Sequence, residues 1–233
     1  MENTKALFGY DNLAFYGKVS ASISHELKNI MAIISETSGL LNDLGEMAVK
    51  GTPIDPKMLK GCTVSIAEEI QRGFDTIRQM NRFAHSVDTP VASINLVELL
   101  DLVCNLFDFL AFAGKIQLQP CEAPKPIAAT IPFLLQELVY QVLMQTFKSS
   151  GPGAEIEIAV KAHNDSTWRI HFYGFRSEKD AMFPNDAIEK IASSIGVQIH
   201  WDQAASRLAL EGPLSIVSVL ADQVSSEMPG RDK

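Results

Sequence analysis

The sequence predicts an α+β protein: an N-terminal antiparallel helical hairpin, a four-helix bundle once two copies pair, followed by an α/β sandwich. Two observations predict it. Before Pro90, apolar residues recur at steps of three and four over two long runs. After Pro90 they fall into shorter runs, some alternating, separated by prolines and glycines.

The first run is Phe15, Val19, Ile23, Leu27, Ile30, Ile34, Leu41, Leu44 and Ala48. It reads as one amphipathic helix that starts between Thr4 and Asp11 and ends near Ala48. Lys50-Gly51-Thr52-Pro53 is a stop, and Asp55-Pro56 restarts a helix with Asp as cap and Pro in the first turn. The second helix reaches about Ser86 along Leu59, Cys62, Ile66, Ile70, Phe74, Ile77, Met80, Ala84 and Val87, and Asp88-Thr89-Pro90 ends it. A single hairpin cannot bury its apolar seam, whereas two copies can, so a homodimer is expected. The alternative is that the hairpin packs on the rest of its own chain.

The second half reads in order as follows. Asn95 to Gly114 is a helix, Ile116 to Gln119 a short strand, and Pro120 to Pro126 a connection. Ile131 to Lys148 is a helix with Pro132 in its first turn, and 149–153 is a turn. Ile156 to Val160 and Trp168 to Tyr173 are strands joined through Asn164-Asp165. Asp186 to Ser194 is a helix. Val197 to Trp201 and Arg207 to Leu210 form a hairpin, and Ile216 to Gln223 is a final helix, with a strand as the alternative. The expected domains are 1–90, 91–225 and a polar tail over 226–233.

Composition narrows the function. The net charge of −8 gives nucleic-acid binding no electrostatic support. The three cysteines, Cys62, Cys104 and Cys121, form no C-x-x-C pair, which fits reduced thiols in a cytoplasmic protein. No run approaches 18 apolar residues and Met1 to Lys18 has no apolar leader core, so neither a membrane span nor a signal peptide is expected.

Within the first helix, His25 lies about 160° around the axis from Leu27, off the buried stripe. Asn29 shares its face one turn on, and Glu26 sits between that face and the stripe. Most single histidines on helices are ordinary polar surface residues. Here the neighbours Ser24-His25-Glu26-Leu27-Lys28-Asn29, followed by the apolar run to Ile34, resemble the H-box of the sensor histidine kinases. That resemblance implies that His25 is phosphorylated on a ring nitrogen, that Glu26 acts as general base, and that Asn29 positions a water for removing phosphate from a partner. The family often has Pro where this chain has Ile30, which affects helix bending.

The order of elements after Pro90 is similar to the ATP-binding domain of the same family, so the resemblance spans about 12 to 222. Laid on that pattern, the nucleotide site is degenerate. Gln141 and Gln145 stand where the family has an Asn pair, Phe172 replaces the adenine-binding Asp, and of the glycines only Gly174 remains. The glycine-rich loop is missing and the lid, about Arg176 to Asn185, is short. No bound cofactor is therefore expected, ATP included.

A histidine hairpin with a dismantled nucleotide domain resembles the dimeric histidine phosphotransferases of two-component phosphorelays. The implied partners are response-regulator receiver domains. Their aspartyl phosphate is already activated, and they supply the Mg²⁺ and Lys that steady the transferring group. The implied docking residues are Ser22, Lys28, Asn29 and Ala32. Other readings are a receiver-directed phosphatase or pseudokinase scaffold, a divergent active sensor histidine kinase, and a purely structural dimer. His85 reads as a helix-end residue. His163, His171 and His200 lack ligand spacing, and Asn29 removes the H-E-x-x-H pattern, so no metal site is expected. Arg72, Arg78 and Arg82 are either a solvated face or an attraction for an acidic receiver.

Overall fold

A computed structural model describes residues 10–108, 114–121, 125–151, 153–174, 183–202 and 206–217. The protein is α+β, a helical hairpin followed by an α/β sandwich. Helix α1 runs Tyr10–Val49 without a break, and α2 runs Pro56–Ala84. The intervening turn is stopped as its residues dictate. Gly51 takes φ +81°, and the Asp55 carboxylate accepts from the Lys57 amide at 2.9 Å, capping α2. Such a cap contributes about 1 kcal/mol.

The chain divides into two compact units: Tyr16–Arg82, and the described residues up to Phe15 together with those from Phe83 onward. The hairpin unit buries Val19, Ile23, Ile30 and Leu44 from α1, and Cys62, Gly73 and Thr76 from α2. Ile30 is fully buried, and its Cγ2 lies where a side chain on Gly73 would make ordinary contact, at 3.7 Å. The expected stripe of α2 divides. Cys62 is buried, but Leu59, Ile70, Phe74, Ile77 and Met80 are each 40–60% exposed.

The other unit carries β1 (Ala92–Asn95), α3 (Leu96–Asp108), β2 (Lys115–Leu118), β3 (Ile127–Thr130) and α4 (Pro132–Ser150). It continues with β4 (Glu155–Ala162), β5 (Thr167–Tyr173), α5 (Asp186–Ser194), β6 (Gln198–Asp202) and β7 (Arg207–Pro213). Five strands make a mixed sheet in the order β2-β4-β5-β7-β6. Its β2–β4 pair is parallel and the other pairs are antiparallel. Strands β1 and β3 form a separate antiparallel pair, and neither is foreseen from the sequence. Each has four residues and its partner lies more than thirty positions away, so no local hairpin signal marks it.

One face of the sheet is apolar: Ile156, Ile158, Val160, Trp168, Ile170, Phe172, Leu208 and Leu210 are buried. The period of two turns Lys161, Arg169, His171, Arg207 and Glu211 to the other face. Helix α4 is buried through its whole first half, residues 132–140. An aromatic cluster surrounds it, with Phe15 4.9 Å from Tyr140, 5.4 Å from Phe133 and 5.6 Å from Phe83 between ring centroids. Phe107 continues it to Tyr140 and Phe147. Helix α3 ends at Asp108, and the expected extension to Gly114 falls on residues 109–113, outside those described. Most of the final helix expected at Ile216 to Gln223 (all but 216–217), the tail, and most of the lid segment also lie outside them.

Candidate phosphoacceptor site

His25 lies well inside α1, fifteen residues past its first. No helix end biases it, and its environment is set by the two faces of the helix. Ile23 and Ile30 hold the inner face against α2, which leaves His25 exposed. One turn on, the carboxamide nitrogen of Asn29 meets Nδ1 of His25 at 3.3 Å. Lys28, Asn29 and Ala32 are exposed and Ser22 is half-buried, so the residues expected around His25 do share its surface.

The pairing with Asn29 has a chemical consequence. A neutral imidazole carries its proton on one nitrogen and a lone pair on the other. With its nitrogen toward the ring, Asn29 donates to Nδ1, so the neutral ring holds its lone pair there and its proton on Nε2. Asn29 therefore biases the tautomer of the ring.

Glu26 is placed differently from its neighbour. Its side chain is only 12% exposed, and it is ion-paired to the guanidinium of Arg72 on α2. The same guanidinium reaches Glu69 at 3.2 Å. Sequence reading offered Arg72 only as part of a charged face, because the register between two helices is not a local property of either. Arg78 pairs with Asp75 at 2.7 Å, and His85 pairs with Asp88 at 2.7 Å beyond the end of α2.

In the sheet unit, Gln141 and Gln145 are half-buried on α4. Phe172 is fully buried in the apolar layer, paired with Ile158 and Leu208, and offers no acceptor to an adenine amino group. Gly174 adopts φ +85°, and a Cβ there would collide with the carbonyl oxygen of Glu155. Strand packing alone accounts for that glycine.

The opposite face of the sheet gathers a second titratable group. His171 is 5% exposed, its Nδ1 has no hydrogen-bond partner, and its ring stacks on Tyr173. Burial pushes it down to about 4, assisted by Lys161, Arg207, Arg169 and His163. Glu211 accepts from Arg169 at 3.0 Å, and that bond holds its carboxyl below the usual range. On α4, burial pushes the Tyr140 hydroxyl up to about 12.

No protein-family model matches this chain, and no curated protein matches it. Among solved structures, the ATP-binding domain of PrrB from Mycobacterium tuberculosis is 14% identical with a TM-score of 0.45, covering 54% of this chain and 98% of that one. The histidine kinase AdeS of Acinetobacter baumannii is 11% identical with a TM-score of 0.40, covering 83% of this chain and 98% of that one. Histidine kinase ThkA, solved in complex with the response regulator TrrA, is 15% identical with a TM-score of 0.42, covering 88% of this chain and 64% of that one. At these scores the likenesses carry no argument about activity.

Proposed function

We propose that this protein is a dimeric histidine phosphotransferase of two-component signalling, with His25 taking a phosphoryl group from, and passing it to, the aspartate of receiver domains. The observation that carries the reading is an exposed imidazole, deep in a long helix, with Nδ1 engaged by Asn29. In the transfer, the ring proton moves to Nδ1 as the Asn29 carboxamide turns its oxygen to accept it, the Nε2 lone pair attacks phosphorus, the P–O bond to the aspartyl carboxyl breaks, and the carboxylate leaves. The receiver docks over Ser22, Lys28, Asn29 and Ala32 and brings its own Mg²⁺. No ATP is needed, because an acyl phosphate is already activated. Phe172, buried in the apolar layer, has no side-chain acceptor to offer an adenine, which supports this direction of supply.

Dimerisation is supported by the half-exposed apolar residues of α2, which a second hairpin would cover. Among the described residues, no helix is long and apolar enough to cross a membrane.

The test is incubation with phosphorylated receivers, with and without ATP, followed by detection of acid-labile label. Transfer without ATP is expected, and His25→Ala should reduce it at least a hundredfold. Label that persists in His25→Ala overturns the reading. Asn29, exposed beside the ring, favours receiver dephosphorylation as a second activity, and Asn29→Ala would then stop loss of receiver phosphate. Autophosphorylation from labelled ATP would establish a divergent kinase instead.

A further inference from the structure

From the pairing of Glu26 with Arg72 we infer that Arg72 is a phosphoryl-binding residue: held between Glu26 and Glu69 in the unmodified protein, its guanidinium turns to the phosphoryl oxygens once Nε2 of His25 carries them. This inference rests on His25 being the acceptor.

Three features carry it. First, Arg72 reaches from α2 to the carboxylate of Glu26, the residue next to His25 along α1. Second, its grip is adaptable. The Arg72 side chain is 48% exposed, and its two terminal nitrogens are divided between Glu26 and Glu69. Because the guanidinium is half exposed to water, exchange of partners costs little. Third, the competing anion favours the exchange. A phosphoryl group on Nε2 brings nearly two negative charges beside Glu26. A planar guanidinium matches phosphate oxygens with paired donors, which a lysine ammonium does not.

Lys28 is the other cation on α1 near the ring, and it is exposed on the same helix as His25. Arg72 differs in coming from the facing helix and in being already held at a carboxylate. Arg72 thus links the state of His25 to the contact between α1 and α2 within the hairpin unit.

The full-length protein is treated with potassium phosphoramidate and followed by phosphorus NMR. Nε2 forms its bond to phosphorus as the P–N bond of the reagent breaks, and ammonium leaves with the ring proton. The His25 resonance is identified by its loss in His25→Gln. A nearby cation favours the dianionic phosphoryl group, so its second ionisation should fall at lower pH in the wild type than in Arg72→Ala, by about half a unit or more. Arg72→Lys should lie between them. Glu26→Gln removes the competing carboxylate and should move the midpoint further down. A merely structural arginine would leave these midpoints unchanged. Equal midpoints in wild type and Arg72→Ala, with equal helix content, overturn the inference and leave the role of His25 standing. If no resonance is lost in His25→Gln, both readings fail.

Discussion

In the hairpin unit, Phe74 keeps 60% of its surface exposed and His25 stands in the open, whereas the sheet unit buries a carboxylate, Glu137, and an imidazole, His171. The two units therefore treat awkward groups in opposite ways. The hairpin leaves apolar surface uncovered and the His25 imidazole accessible. The sheet unit fills its interior with Phe133, Trp168 and Phe172 and encloses polar exceptions as well: Glu137 accepts from Asn12, while Nδ1 of His171 has no hydrogen-bond partner.

The comparison can be broken most forcefully at the buried polar pair. Asn12 donates to Oε2 of Glu137 at 2.5 Å, and Glu137 is fully buried. Asn12→Ala removes a donor from a carboxylate that water does not reach, and a loss of about 2–3 kcal/mol is expected in chemical denaturation. A change below about 0.5 kcal/mol would mean that this buried carboxylate tolerates the loss of its donor.

On the hairpin side, Phe74→Asp is expected to weaken self-association by about 2 kcal/mol, roughly thirtyfold in dissociation constant, while leaving the monomer folded. Sedimentation equilibrium reads this directly. Unchanged association would show that the exposed apolar residues do not serve pairing.

The smallest effect is the pH dependence from His171. Its folded value of about 4 lies below the ordinary 6.5, so the unfolded chain binds the proton first. This contribution is constant above about pH 6.5. Stability then falls as pH drops from 6.5 toward 4, by roughly 1–2 kcal/mol after allowing for solvent screening. His171→Gln should flatten that part of the stability–pH curve, as measured by urea titration at several pH values.

Much of this was legible in the sequence, for local reasons. Gly51, Asp55 and Pro56 punctuate the hairpin, and their effects reach only a few residues. The exposure of His25 followed from its angle to Leu27 on one helix. What escaped is what depends on pairing between distant segments. Strands β1 and β3 are recognised only by each other, and Ala92, Ile94, Ala128 and Thr130 alternate too briefly to mark a strand alone. The period of α2 was readable, but not which side meets α1: small Gly73 and Thr76 take that place, and the bulky Ile70 and Phe74 do not. The Arg72–Glu26 pair escaped for the same reason, since neither helix alone specifies its offset against the other.

Gly174 carries a practical lesson for sorting sequences of this kind. Its lack of a side chain is demanded by the Glu155 carbonyl, a backbone atom present whatever the neighbouring sequence. Selection on the sheet alone would keep it, whatever lay beyond the strand end. A search keyed to that glycine would therefore gather sheets that share a strand pairing, and would say nothing about what they bind.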